Sequence, residues 1–183
     1  MRATGLAERA VLLEGALHVV GADRRSLVRD DRAASVLLDA CVAADGGAVA
    51  GARVTVGDSG RVERVLVRVA AGDALDGVVL RSYAIGAAHM ALGWVLTEGL
   101  AVDADTGEVL DLTIRSFGII PARSMPAVAV EIVKSDDAPR AFASDAAFAS
   151  VAAAAWNAVA RVEGARPVAF PAVGTRAARM LRR

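Results

Sequence analysis

The sequence contains no glutamine and only one asparagine (Asn157), one lysine (Lys134) and one cysteine (Cys41) among its 183 residues. Chemistry that needs carboxamide donors must therefore fall to the backbone or to other side chains. A lone cysteine excludes an intrachain disulfide framework and any multi-cysteine zinc or iron–sulfur site, and it fits a reducing cytoplasm. Aromatic residues make up 4% of a chain that is 55% hydrophobic, so the apolar mass comes from Ala, Val and Leu. No uninterrupted apolar run reaches the roughly 18 residues of a membrane span. Glu8 and Arg9 also interrupt the segment where a secretory signal requires an apolar stretch. Twenty-one basic residues balance twenty-one acidic ones, which leaves no field to attract nucleic acid or an anionic membrane. The expectation is a cytoplasmic, soluble, single domain over residues 1–183, with surplus apolar surface suited to a subunit interface.

Hydrophobic spacing divides the chain into a few elements. Leu6, Ala10, Leu13, Leu17 and Val20 recur at three- and four-residue intervals and predict a surface helix stopped by Gly21. Ala33 to Ala44 is apolar enough for a second helix, although Val36, Leu37, Leu38 and Val42 also suit a strand. From Arg53 the period becomes two, through Val54 and Val56, a turn at Gly57–Gly60, and Val65, Val67 and Val69, which predicts a hairpin. Val78 to Leu100 is nearly uncharged and predicts a long buried helix. A second hairpin is expected around 100–102 and 109–115, then a strand through Val128, Val130 and Ile132. An Ala-rich helix spans Asp145 to Val162 and ends at Gly164, and a short solvated helix follows at 176–183. The fold class is α+β: a mixed sheet built from hairpins and packed against long apolar helices.

Few residues carry chemistry. His89 lies mid-helix among Ala and Met, where imidazole acts as acid or base or is simply a hydrogen-bonded core group. Tyr83, the only tyrosine, either donates its phenol to a substrate oxygen or packs. Arg81, with Ser82 beside it, is a candidate for holding a carboxylate or phosphate, or Arg81 pairs with a neighbour such as Asp76. Asp73 and Asp76 are too few for a metal site and suit turn hydrogen bonds. Asp145 heads the Ala-rich helix, where a carboxylate caps orphan amides. Gly57-Asp-Ser-Gly60 sits between alternating strands and is a turn, not a nucleophile motif. No Walker loop, dinucleotide fingerprint or Ser-His-Asp constellation is found.

Several stretches resemble one family. Arg81-Ser-Tyr-Ala-Ile-Gly-Ala-Ala-His-Met-Ala-Leu-Gly-Trp-Val-Leu-Thr-Glu-Gly-Leu100 is similar to the helix "R-G-Q-I-E-G-G-x-x-Q-G-L-G-W-A-L-T-E-E-L" of molybdenum hydroxylases. Ile120-Pro-Ala-Arg-Ser-Met-Pro-Ala-Val-Ala-Val-Glu-Ile-Val133 matches their "I-P-T-x-x-x-x-P-x-I-E-V-E-F-V" with both prolines retained. The hairpin from Ala52 to Val69 precedes the first match in the same order, and Ala155-Trp-Asn-Ala-Val159 and Phe170-Pro171 continue it. The chain thus resembles the C-terminal half of the molybdopterin-binding domain of the xanthine dehydrogenase and aldehyde oxidase family.

The resemblance implies that fold and an oxidoreductase setting, but the departures fall on the family's chemistry. Its two glutamines stand here as Tyr83 and Met90, its glutamate as Ile85, and a glycine as Ala91. Met and Ile cannot replace paired amide bonds to a phosphate-bearing pterin. The family's general-base glutamate aligns near Asp145, one methylene shorter. The expectation is that this chain alone binds no cofactor, with molybdopterin present only if shared with a separate subunit. Two functions follow. One is a non-catalytic partner or structural subunit of a xanthine dehydrogenase-like molybdenum hydroxylase, attached to a larger subunit. The other is a cofactor-free homo-oligomer that binds or converts a small organic ligand, with Tyr83, His89 and Asp145 as catalytic groups and Arg81 and Ser82 as substrate contacts.

Overall fold

The structure, a computed structural model, describes residues 40–43, 47–110 and 113–182. The helix expected at 6–20 lies outside them, as does most of the segment 33–44. The part of that segment that is described, Ala40–Ala43, is a strand rather than a helix. Its branched Val42 sits in a ladder with the next strand, and this pairing decides between the two readings that the sequence allowed.

Among the described residues the sheet has four strands in the order β1-β2-β3-β4. Strands β1 (Ala40–Ala43), β2 (Val49–Val56) and β3 (Val62–Ala70) form an antiparallel meander, with the expected turn between β2 and β3. Strand β4 (Ala127–Ile132) joins β3 in parallel, so the sheet is mixed. The parallel connection runs through helix α1 (Gly77–Leu96). Alternation places Ala50, Ala52 and Val54 opposite Val69, Val67 and Val65 on the face that packs inward, where all six are buried. Arg64 and Arg68 point the other way, and Arg68 pairs across the ladder with Glu131.

Helix α1 and the Ala-rich helix α3 (Ala143–Glu163) cover the inward face, α3 over β1 and β2 and α1 against α3 and β4. Their buried positions are mostly alanine, including Ala84, Ala87, Ala88 and Ala91 of α1 and Ala147, Ala154 and Ala155 of α3. Small side chains let the two backbones approach closely, so each methyl group is in contact over most of its surface. Leu92, Leu96 and Ile120 fill the space that alanine leaves.

Four expectations are corrected. Helix α1 forms as predicted but is not buried all round; one side packs while Val79, Tyr83, Met90 and Trp94 on the other are open. Among the described residues the second hairpin shows one antiparallel bridge, between Val102 and Val109, and the end of its expected second strand holds a helical turn, α2 (Ile114–Phe117). Asp103 takes the loop's amides instead, accepting from Asp105 and Thr106, and these bonds hold its carboxyl below the usual range. The C-terminal helix α4 (Arg176–Leu181) is not solvated, because Ala177, Ala178 and Leu181 are buried on the core. Finally, Asp145 is not the cap of α3. That position is Phe142, in the left-handed region at φ 61°, with Asp145 within the first turn. There its charge still complements the helix dipole.

Candidate functional site around helix α1

The start of α1 borders a cavity of about 710 Å³. Gly72, Asp73 and Asp76 line it from the turn after β3, Arg81 from α1, and Lys134 and Asp136 from the segment after β4. Asp76 caps the helix, accepting from Val78 N at 2.8 Å and Val79 N at 3.1 Å. The amides that would otherwise greet an anion are thus already occupied by a carboxylate. Arg81 does not pair with Asp76. Its guanidinium donates to the Val130 carbonyl of β4 and ties the helix to the edge of the sheet. One bond leaves most of its five donors for a ligand. Ser82 is exposed and is not among the lining residues. Three carboxylates against Arg81 and Lys134 suit a polar organic molecule that is neutral or carries an amine, and they repel a phosphate-bearing one.

Tyr83, His89 and Asp145 are held differently. His89 Nε2 lies 2.8 Å from the Ile120 carbonyl, an acceptor only, so that nitrogen carries the proton and donates. At about 100° per residue, Tyr83 and His89 stand roughly 120° apart around the helix axis. Tyr83 is 62% exposed on the open side. Asp145 is exposed on another helix. None of the three lines the cavity at the start of α1.

The structure adds a group that sequence reasoning missed, Glu98. Its side chain folds back over α1 so closely that a Cβ on Gly93 would collide with its Oε1. Burial raises its carboxyl pKa above the ordinary value, and the nearby His89 opposes the shift. His89, Glu98 and the Ile120 carbonyl thus form a small polar cluster beside Gly93. The available signal was a glycine five residues before the first acid after a charge-free run.

The open side of α1 carries two of the positions where the chain departs from the family it resembles, Tyr83 and Met90, whereas Ala91 is buried. Tyr83 and Met90 are two turns apart on one face, 62% and 52% exposed. At its C-terminal end the face runs into an aromatic cluster. Trp94 meets Phe148 at 5.4 Å and Phe170 at 4.5 Å between ring centroids, and Phe170 meets Trp156 at 6.0 Å. The chemistry of this face does not fit a phosphate-bearing pterin, because it offers a thioether, aliphatic groups and one phenol where amide pairs are needed. Among the described residues no group of three His, Cys, Asp or Glu is placed to hold a metal ion.

No family model and no curated protein matches the sequence. Solved structures match the fold, and they are molybdenum hydroxylases. Reconstituted CO dehydrogenase from Oligotropha carboxidovorans superposes at a TM-score of 0.60 with 12% identity, over 73% of this chain and 18% of that one. Quinoline 2-oxidoreductase from Pseudomonas putida 86 gives 0.52 and 18% identity, over 57% of this chain and 14% of that one. A Cu,Mo-CO dehydrogenase in its carbon monoxide-reduced state gives 0.55 and 13%, over 73% and 18%. The α+β fold of this chain is therefore that of a segment of these enzymes, and it spans less than a fifth of their length.

Proposed function

We propose that this chain is a non-catalytic partner or structural subunit of a molybdenum hydroxylase-like oxidoreductase, joined in the cytoplasm to a larger chain that carries the metal. The observation that carries the reading is the match between most of this chain and only 14–18% of each enzyme chain. Two of the polar groups offered by the described residues fit the same role, since they are spent on structure: Asp76 on a cap and His89 on a loop carbonyl. The test is affinity capture of the tagged full-length chain from its own cells, with elemental analysis of the chain alone and of what it captures. Molybdenum is expected only in the complex with a larger chain. Capture of no molybdenum-bearing chain refutes the reading.

The cavity at the start of α1 supports a second reading, a cofactor-free binding protein for a small organic molecule, with Arg81 as its main contact. Here Arg81→Ala should abolish the thermal shift produced by a ligand found in a metabolite screen. If the variant still shows that shift, Arg81 is a strut and nothing more.

A further inference from the structure

We propose that two copies of this chain pair through the open face of α1, with the helices crossing antiparallel at Gly86. The inference does not rest on the partner-subunit reading, because its observations concern only the open face of α1. Three observations carry it. First, no Asp, Glu, Lys or Arg occurs from Ser82 to Thr97, so a 20-residue helix presents an uncharged side to the exterior. Surface helices of monomers place their charges there.

Second, the face has the size a dimer needs. Aromatic side chains carry about 150–250 Å² each, and the exposed parts of Val79, Tyr83, Met90, Trp94 and Phe170 together present roughly 500 Å² of apolar surface, towards the upper end for a monomer's largest patch. A standard interface buries about 800 Å² per partner, and about 65% of a homodimer interface is apolar, or about 520 Å².

Third, the face is complementary to itself. A Cβ at Gly86 would meet nothing within 4 Å, so nothing within the described fold requires glycine there, whereas glycine in a helix interior is costly relative to alanine. A helix crossing closely at that point gives it a reason. In an antiparallel crossing centred on Gly86, Tyr83 meets Met90 of the second copy and Val79 meets its Trp94. A ring thus faces a thioether and a branched aliphatic group faces an indole, with no like charges opposed.

The test is light scattering on the full-length chain, with sedimentation to obtain the dissociation constant. The wild type should have twice the mass of the 18.7 kDa chain. Gly86→Arg and Met90→Glu, at exposed positions, should keep the helical circular dichroism and weaken pairing by about 30-fold or more, as loss at the centre of an interface does. Ala153→Arg, at an exposed position of α3, should leave the mass unchanged. A wild-type monomer overturns the proposal, whether Met90→Glu then lowers its Tm, which would assign the face to another segment of the chain, or phosphatidylcholine vesicles bind it, which would assign it to lipid. A dimer that survives both substitutions overturns it as well.

Discussion

Gly72→Ala and Gly164→Ala form a matched pair that isolates one steric contact. Both glycines are left-handed, at φ +70° and +74°, so a side chain at either costs about 1 kcal/mol or somewhat more in backbone strain. At Gly164 the added methyl group meets nothing within 4 Å, and strain is the whole effect. At Gly72 it would sit inside the Ala138 carbonyl oxygen. That oxygen cannot withdraw freely, because its loop is anchored on both sides, by Asp73 N to Asp137 O at 2.8 Å and by Arg140 N to Ala71 O at 2.8 Å. Moving the loop loses both bonds, each worth about 1 kcal/mol net. The expected losses are therefore about 1 kcal/mol for Gly164→Ala and about 3–4 kcal/mol for Gly72→Ala. In Tm these become about 3 °C and roughly 10 °C for a chain of this length. Urea unfolding followed by circular dichroism at a single protein concentration measures the difference. Equal losses would refute the account of an anchored loop.

Two further perturbations test α1. Asp76→Ala removes the acceptor for two first-turn amides and should cost about 1 kcal/mol, read by the same unfolding assay, while Asp76→Asn should keep most of the stability. Glu98→Gln should stabilise the protein near neutral pH. Burial raises the folded carboxyl above its unfolded value, so the folded state binds the proton more tightly. Stability is then fullest below the ordinary carboxylate range and is lost as pH rises through the raised value. The variant's advantage should vanish in acid, and an advantage that grows as pH falls would contradict the sign.

The strands β2 and β3 and the helices α1 and α3 were legible because each has a long, consistent period: two through Val65, Val67 and Val69, and an apolar run with small residues through Ala84 to Leu96. The failures were short segments. Val102 and Val109 have the residue types of a hairpin but only one bridge, since Asp103 folds the loop by its own hydrogen bonds and Thr113 caps a helical turn. Ala177, Ala178 and Leu181 stand among arginines in a segment expected to be solvated, yet Arg176 spends its side chain on the Val162 and Asp58 carbonyls and lets the helix lie on the core. The candidate site was legible as residue types only. Arg81, Tyr83 and His89 are neighbours in sequence, but the helix turns them to different surroundings: the sheet edge, the open face and a loop carbonyl.

By itself the sequence determined the secondary-structure alphabet, the lack of glutamine for a pterin and the charge-free run from Ser82 to Thr97 in and just after α1, because composition and period are local properties. Tertiary structure decided which side of α1 is covered. The alanines pack on α3, and Tyr83, Met90 and Trp94 are left outside. Only three-dimensional packing could make that choice, since a helix apolar on every side carries no periodic signal to say which side meets the core.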